Sequence, residues 1–85
     1  MEYGLAVFRA RNETITFANL LRSYGVRVMV VPTPRKINVS CGISVKFSLS
    51  NLEEARRLLA RRKFDSFGGL FHVYQTGANA RYIPV

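Results

Sequence analysis

Cysteine occurs once in these 85 residues, and so does histidine. One thiol excludes an intramolecular disulfide and a multi-cysteine zinc or iron–sulfur site within a single chain. One imidazole excludes a His-rich metal cage, so no metal is expected. Acids are scarce: Glu2, Glu13, Glu53, Glu54 and Asp65 are the whole set. They supply no carboxylate cluster for acid/base catalysis, and Glu53, Glu54 and Asp65 fall in or just beyond one predicted helix, where capping and pairing account for them. No apolar run approaches the ~18 residues that cross a bilayer. The start, Met1-Glu2-Tyr3-Gly4, has neither the basic opening nor the apolar stretch of a secretory signal. The expectation is a cytoplasmic protein without membrane association, whose thiol stays reduced.

What is present is base and apolar bulk. Thirteen Lys/Arg against five Asp/Glu leave a net charge of +8, and 48% of the residues are hydrophobic. That much apolar material argues for a folded core and against a disordered basic tail. A chain of this length holds one domain, which buries only ~60% of the surface its unfolded form exposes.

Leu5–Ala10 is short, apolar and β-prone, and reads as a first strand. Asn12 is a candidate cap for a helix over Glu13–Tyr24, with Phe17, Leu21 and Tyr24 at i, i+4 and i+7 and Gly25 as its stop. Val26–Val31 reads as a second strand, ended by Pro32-Thr33-Pro34. A third alternates Ile43, Val45, Phe47 and Leu49 with Ser44, Lys46 and Ser48. Ser50 and Glu53 have capping-box spacing ahead of a second helix over Asn51–Phe64, with Leu52, Ala55 and Leu59 as its buried stripe. Leu70–Gln75 reads as a fourth strand. The order βαββαβ predicts an α+β, ferredoxin-like sandwich: an antiparallel sheet in the order 4-1-3-2 with two helices on one face. Residues 1–75 form the domain and 76–85 a C-terminal tail. The exposed sheet face is a candidate surface for a homo-oligomer.

The least generic stretch is the connection Pro32-Thr33-Pro34-Arg35-Lys36-Ile37-Asn38-Val39-Ser40-Cys41-Gly42. Pro32, Pro34, Arg35, Ile37, Ser40, Cys41 and Gly42 match a Pro-x-Pro-Arg…Ser-Cys-Gly pattern, and with its flanks the segment resembles a family of small bacterial selenium/sulfur carrier-like proteins. Asn38 departs from the small hydroxyl residue expected there. The resemblance covers roughly residues 5–73. It implies a carrier rather than an enzyme. Cys41 would hold sulfur or selenium as a transient persulfide or selenium adduct, with no other cofactor, between donor and acceptor proteins.

The residues are consistent with that chemistry. Only a thiolate accepts or passes on sulfur, and an ordinary thiol is just a few per cent ionised at neutral pH. Arg35 is the candidate for stabilising the thiolate, with Lys36 beside it. Pro32 and Pro34 stiffen the approach, and Ser40 and the Gly42 backbone shape the loop. A bland reading competes with this one. Every odd residue from Ile37 to Leu49 is apolar, so one long strand would seal Cys41 inside as an inert small hydrophobe. Against it stand the ~10-residue bound on ordinary strands and the glycine at 42.

His72 lies in a predicted strand remote from Cys41, which disfavours a Cys–His nucleophile pair. The alternative function is a basic nucleic-acid-binding or protein-adaptor module with a structural cysteine. Arg56, Arg57, Arg61, Arg62 and Lys63 crowd the second helix. Phe8 and Phe47 are candidate base-stacking rings by position, although Phe47 carries the apolar parity that faces the helices. A charge of +8 favours weak, salt-sensitive attraction to nucleic acid or to acidic partners. Gly68-Gly69 lacks the spacing of a phosphate loop.

Overall fold

The computed structural model describes residues 1–38 and 41–85. The elements in chain order are β1 (Glu2–Phe8), α1 (Arg11–Ser23), β2 (Val28–Pro32), β3 (Ile43–Ser48), a short 3-10 turn (Leu49–Asn51), α2 (Leu52–Arg61), β4 (Phe67–Thr76) and β5 (Asn79–Pro84). The class is α+β, and the described residues form two helices and one antiparallel sheet in the order β2-β3-β1-β4-β5. This differs from the four-stranded order expected from the sequence by an added edge strand. The segment read as a tail turns back at Gly77-Ala78 and pairs along β4 from Thr76↔Asn79 to Phe71↔Pro84. Its signal was the alternation of Ala80 and Tyr82, which pack on the sheet, with Asn79, Arg81 and Ile83, which are exposed.

Both helices pack on one face of the sheet. Phe17, Ala18 and Leu21 of α1 and Ala55 and Leu58 of α2 form one core with Ala6, Phe8, Val45, Phe47 and Leu70. Phe8 is its centre, with ring centroids 5.4 Å from Phe17 and 5.3 Å from Phe64. The face without helices is buried too: Leu5, Val7 and Val73 are at most 1% exposed, under Ile37 from the β2–β3 connection and beside Phe71 and Tyr82. The middle of the face expected to be open is therefore covered by the chain's own turn.

Local endings differ from the sequence expectations for identifiable reasons. β1 begins at Glu2, three residues before the expected Leu5. Gly4 weakens the strand signal there, yet its missing side chain is what the packing needs, because a Cβ at position 4 would collide with the Phe47 ring. Helix α1 starts at Arg11 without an Asn12 cap; Ala10 occupies the N-cap position and makes no side-chain cap bond. Its end is a Schellman arrangement, Gly25 N–H to Arg22 O at 2.9 Å and Val26 N–H to Leu21 O at 3.1 Å, which turns Tyr24 out to 53% exposure. Ahead of α2 the acceptor is Ser48 rather than Ser50: Ser48 Oγ accepts from Ser50 N–H at 3.4 Å. Glu53 pairs instead with Arg56 at 3.1 Å.

Candidate functional site

The connection between β2 and β3 is tied at its neck. Thr33 N–H donates to Gly42 O at 3.0 Å, and the Thr33 and Ser44 hydroxyls lie 2.6 Å apart. Beyond the neck, Ile37 N–H donates to Pro34 O at 3.0 Å, closing a turn with Arg35 and Lys36 at its two exposed corners. Lys36 reaches across the helix-free face, and its ammonium donates to Ala80 O on β5 at 3.1 Å. Pro32 is the last residue of β2, and Ser40 lies outside the described residues.

Strand β3 starts at Ile43, so Cys41 precedes the strand instead of belonging to it. Gly42 makes the break. Its φ is +100°, a conformation that L side chains rarely adopt, with open space around it. The chain then leaves the β1–β3 ladder, and Cys41 N–H bonds Phe8 O at 3.2 Å, at the very end of β1. The thiol is left half-buried against the first turn of α1.

Two polar groups are within reach of the sulfur among the described residues. The Thr14 hydroxyl lies 3.4 Å from Sγ and the Ile43 carbonyl 3.6 Å from it. Thr14 is fully buried and also bonds Ala10 O at 3.2 Å. A hydroxyl has one proton and can accept as well. Beside a thiol it can donate to Ala10 and accept from S–H; beside a thiolate it can swing its proton to the sulfur. The sequence reading missed Thr14. The available signal was a hydroxyl residue on the buried stripe itself, at i, i+3, i+4 and i+7 with Phe17, Ala18 and Leu21.

The first turn of α1 is clamped from the other side by Glu13. Its carboxylate accepts from Ser66 Oγ–H at 2.6 Å, Ser66 N–H at 2.7 Å and Asp65 N–H at 3.3 Å. The Ser66 bonds hold the Glu13 carboxyl below the usual carboxylate range. Arg9 N–H adds a bond to Ser66 O at 2.7 Å, so the β1–α1 junction beneath the thiol is pinned to the α2–β4 connection.

The other candidates fall elsewhere. His72 Nε2 meets Glu2 Oε1 at 2.8 Å, and the ring stacks on Tyr74 at 4.1 Å. It pairs opposite Gly4, toward the far end of β1 from Cys41. Phe8 and Phe47 are 0% and 3% exposed in the helix-side core, so neither offers a ring to a base. Among the described residues no three His, Cys, Asp or Glu side chains converge as a metal site, and no helix is long and apolar enough to cross a membrane.

A family model described as "Putative Se/S carrier protein-like" matches residues 3–66. The chain belongs to this Se/S carrier protein-like family. No curated protein and no solved structure matches it. The matched span of this Se/S carrier-like chain runs from β1 through the loop of Cys41 to the α2–β4 connection. It therefore includes the thiol, Thr14 and the Glu13 clamp, and ends just before the β4–β5 hairpin.

Proposed function

We propose that the protein is a sulfur or selenium carrier with Cys41 as its attachment point. The observation that carries this reading is the position of the thiol: half-buried, ahead of β3, at the neck of a tied loop, with the Thr14 hydroxyl 3.4 Å away. The Cys41 thiolate attacks the outer sulfur of a persulfide on a donor protein. The S–S bond of the donor breaks, its electron pair leaves with the donor thiolate, and Cys41 keeps the transferred sulfur as a persulfide anion. An acceptor nucleophile then attacks that outer sulfur and Cys41 leaves as thiolate. Each step is an exchange with no net oxidation. Selenium follows the same course as a selenium atom bonded to Cys41. The chain has no second thiol to resolve the adduct, so the atom must pass to another molecule.

In this reading Thr14 donates to the thiolate or to the bound persulfide. Arg35, exposed at the turn, adds positive field, whereas Lys36 is held on β5, across the sheet from the thiol. Pro32, Pro34, Ser40 and Gly42 shape the loop. The protein turns over no substrate alone, works in the reducing cytoplasm, and meets a donor and an acceptor protein. Mass spectrometry of the intact protein tests this. Reduced protein incubated with a persulfide donor should gain one sulfur atom, and Cys41→Ser should gain none. No gain in the native protein, or a gain that persists in the variant, counts against the carrier.

A further inference from the structure

A sizeable cavity lies at the other end of the sheet from the thiol. It is an open groove of about 850 Å³ between the end of α1 and the start of β2. Its floor is apolar, built on Val28, Met29 and Phe47, and Arg22, Arg27 and Lys46 stand around it. Among the described residues the carboxylates that meet a basic group are Glu53 with Arg56, Glu54 with Arg57 and Glu2 with the His72 ring, so none of these three cations meets a carboxylate. The groove's one acid, Glu2, is held by His72.

Alongside the groove runs a free strand edge. Among the described residues β2 pairs only with β3 and ends the sheet. Met29 and Val30 on this edge are 61% and 37% exposed. They point to opposite faces: Met29 lies beside Lys46 on the helix-free face, and Val30 beside Val45 on the helix face. Unpaired backbone groups and exposed aliphatic side chains on β2 thus lie beside positive charge that meets no carboxylate: Arg27 just before the strand, Lys46 on β3 over the Tyr3 ring, and Arg22 on α1.

We propose that β2 docks an extended segment of a partner protein as a sixth strand. The segment carries aliphatic residues on the side of Val30 and carboxylates on the side of Met29 and Lys46. Charge complementarity selects this occupant. A second copy of the chain would bring +8 against +8. A nucleic acid would lack stacking surfaces, because the groove's rings, Tyr3 and Phe47, are 9% and 3% exposed. Backbone pairing along the edge supplies affinity, and the alternate side chains supply selectivity. Pro32 has no N–H, so the pairing stops just before the neck of the Cys41 loop and leaves the loop open. This goes beyond the carrier reading and does not rest on it.

The probe is a fluorescein-labelled peptide alternating Val with Glu and Asp, titrated against the full chain by anisotropy, with amide NMR shifts followed in parallel. Saturable binding that weakens with salt is expected, with shifts centred on residues 28–31. Arg27→Glu combined with Met29→Glu, both exposed positions, should weaken binding at least tenfold while circular dichroism stays native. The same peptide N-methylated at alternate amides should lose binding, because it cannot pair with a strand. Cys41→Ser should bind as the native chain does, which separates this surface from thiol chemistry. The proposal is overturned by an absence of binding, by equal binding of the N-methylated peptide, or by shifts centred on α2. It is equally overturned if oligouridine displaces the peptide from the same residues, or if sedimentation shows a dimer that competes with it.

Discussion

The Thr14 hydroxyl lies 3.4 Å from the Cys41 sulfur and joins two segments 27 positions apart in the chain. The contact binds the first turn of a helix to the loop before β3, and the hydroxyl's one proton, given to Ala10 O beside a thiol, can turn to the sulfur beside a thiolate.

Thr14→Val keeps the shape of the side chain and removes that proton. A hydrogen bond to a charged group is worth ~1.5–3 kcal/mol, and partial exposure of the thiol reduces this. Alkylation of Cys41 by iodoacetamide at neutral pH should slow about threefold to tenfold, by conversion of the reduced figure at 1.4 kcal/mol per decade. Thr14→Ser should restore most of the rate. Equal rates for all three proteins would remove Thr14 from the site.

Gly42→Ala places a side chain at a φ of +100°. Space around the position is open, so the cost is backbone strain of about 1–2 kcal/mol. Urea unfolding should show this loss. The thiol alkylation rate should change as well, because the residue sets where the chain leaves the ladder.

Gly4→Ala tests close packing away from the thiol. The new methyl would meet the Phe47 ring, which lies in the core at 3% exposure. Overpacking of this kind costs about 1–3 kcal/mol. The urea midpoint should fall, while alkylation of the native state keeps its rate.

The Glu13 clamp gives a pH dependence with a definite sign. Its carboxyl sits below the ordinary range because Ser66 donates to the ionised form. The clamp is therefore fully present above the ordinary glutamate pKa and is lost as pH falls through the lowered folded value. Glu13→Gln should melt below the native protein at pH 7, and the gap between them should narrow as pH is taken down through the acid range. A gap that stays constant with pH would show that the charge of Glu13 contributes nothing.

Much of the architecture was legible because it follows from short-range patterning. Val45 and Phe47 of the alternating strand do lie in the helix-side core, and the helix stripes bury Phe17, Leu21 and Ala55 but leave Leu52 and Leu59 half-buried and Tyr24 exposed. The caps were less legible. Asn12 and Ser50 have the right chemistry for caps, but the chain enters α1 from the end of β1 at Ala10 and enters α2 through a 3-10 turn capped by Ser48. Strand β5 was missed because Gly77 and Pro84 bracket it and only Ala80 and Tyr82 mark its packed face, so its pairing with β4 is what fixes it.

The sequence by itself determined the presence of one thiol, the excess of positive charge, and the glycine and prolines that interrupt the chain on either side of the loop. These are properties of composition and of single residues. Only the tertiary structure decided that the thiol stands ahead of β3 beside Thr14, that Lys36 is drawn to β5, and that β2 is left as a bare edge. Each of those depends on segments distant in the chain meeting across the sheet, and local backbone preference carries no information about which distant groups will meet.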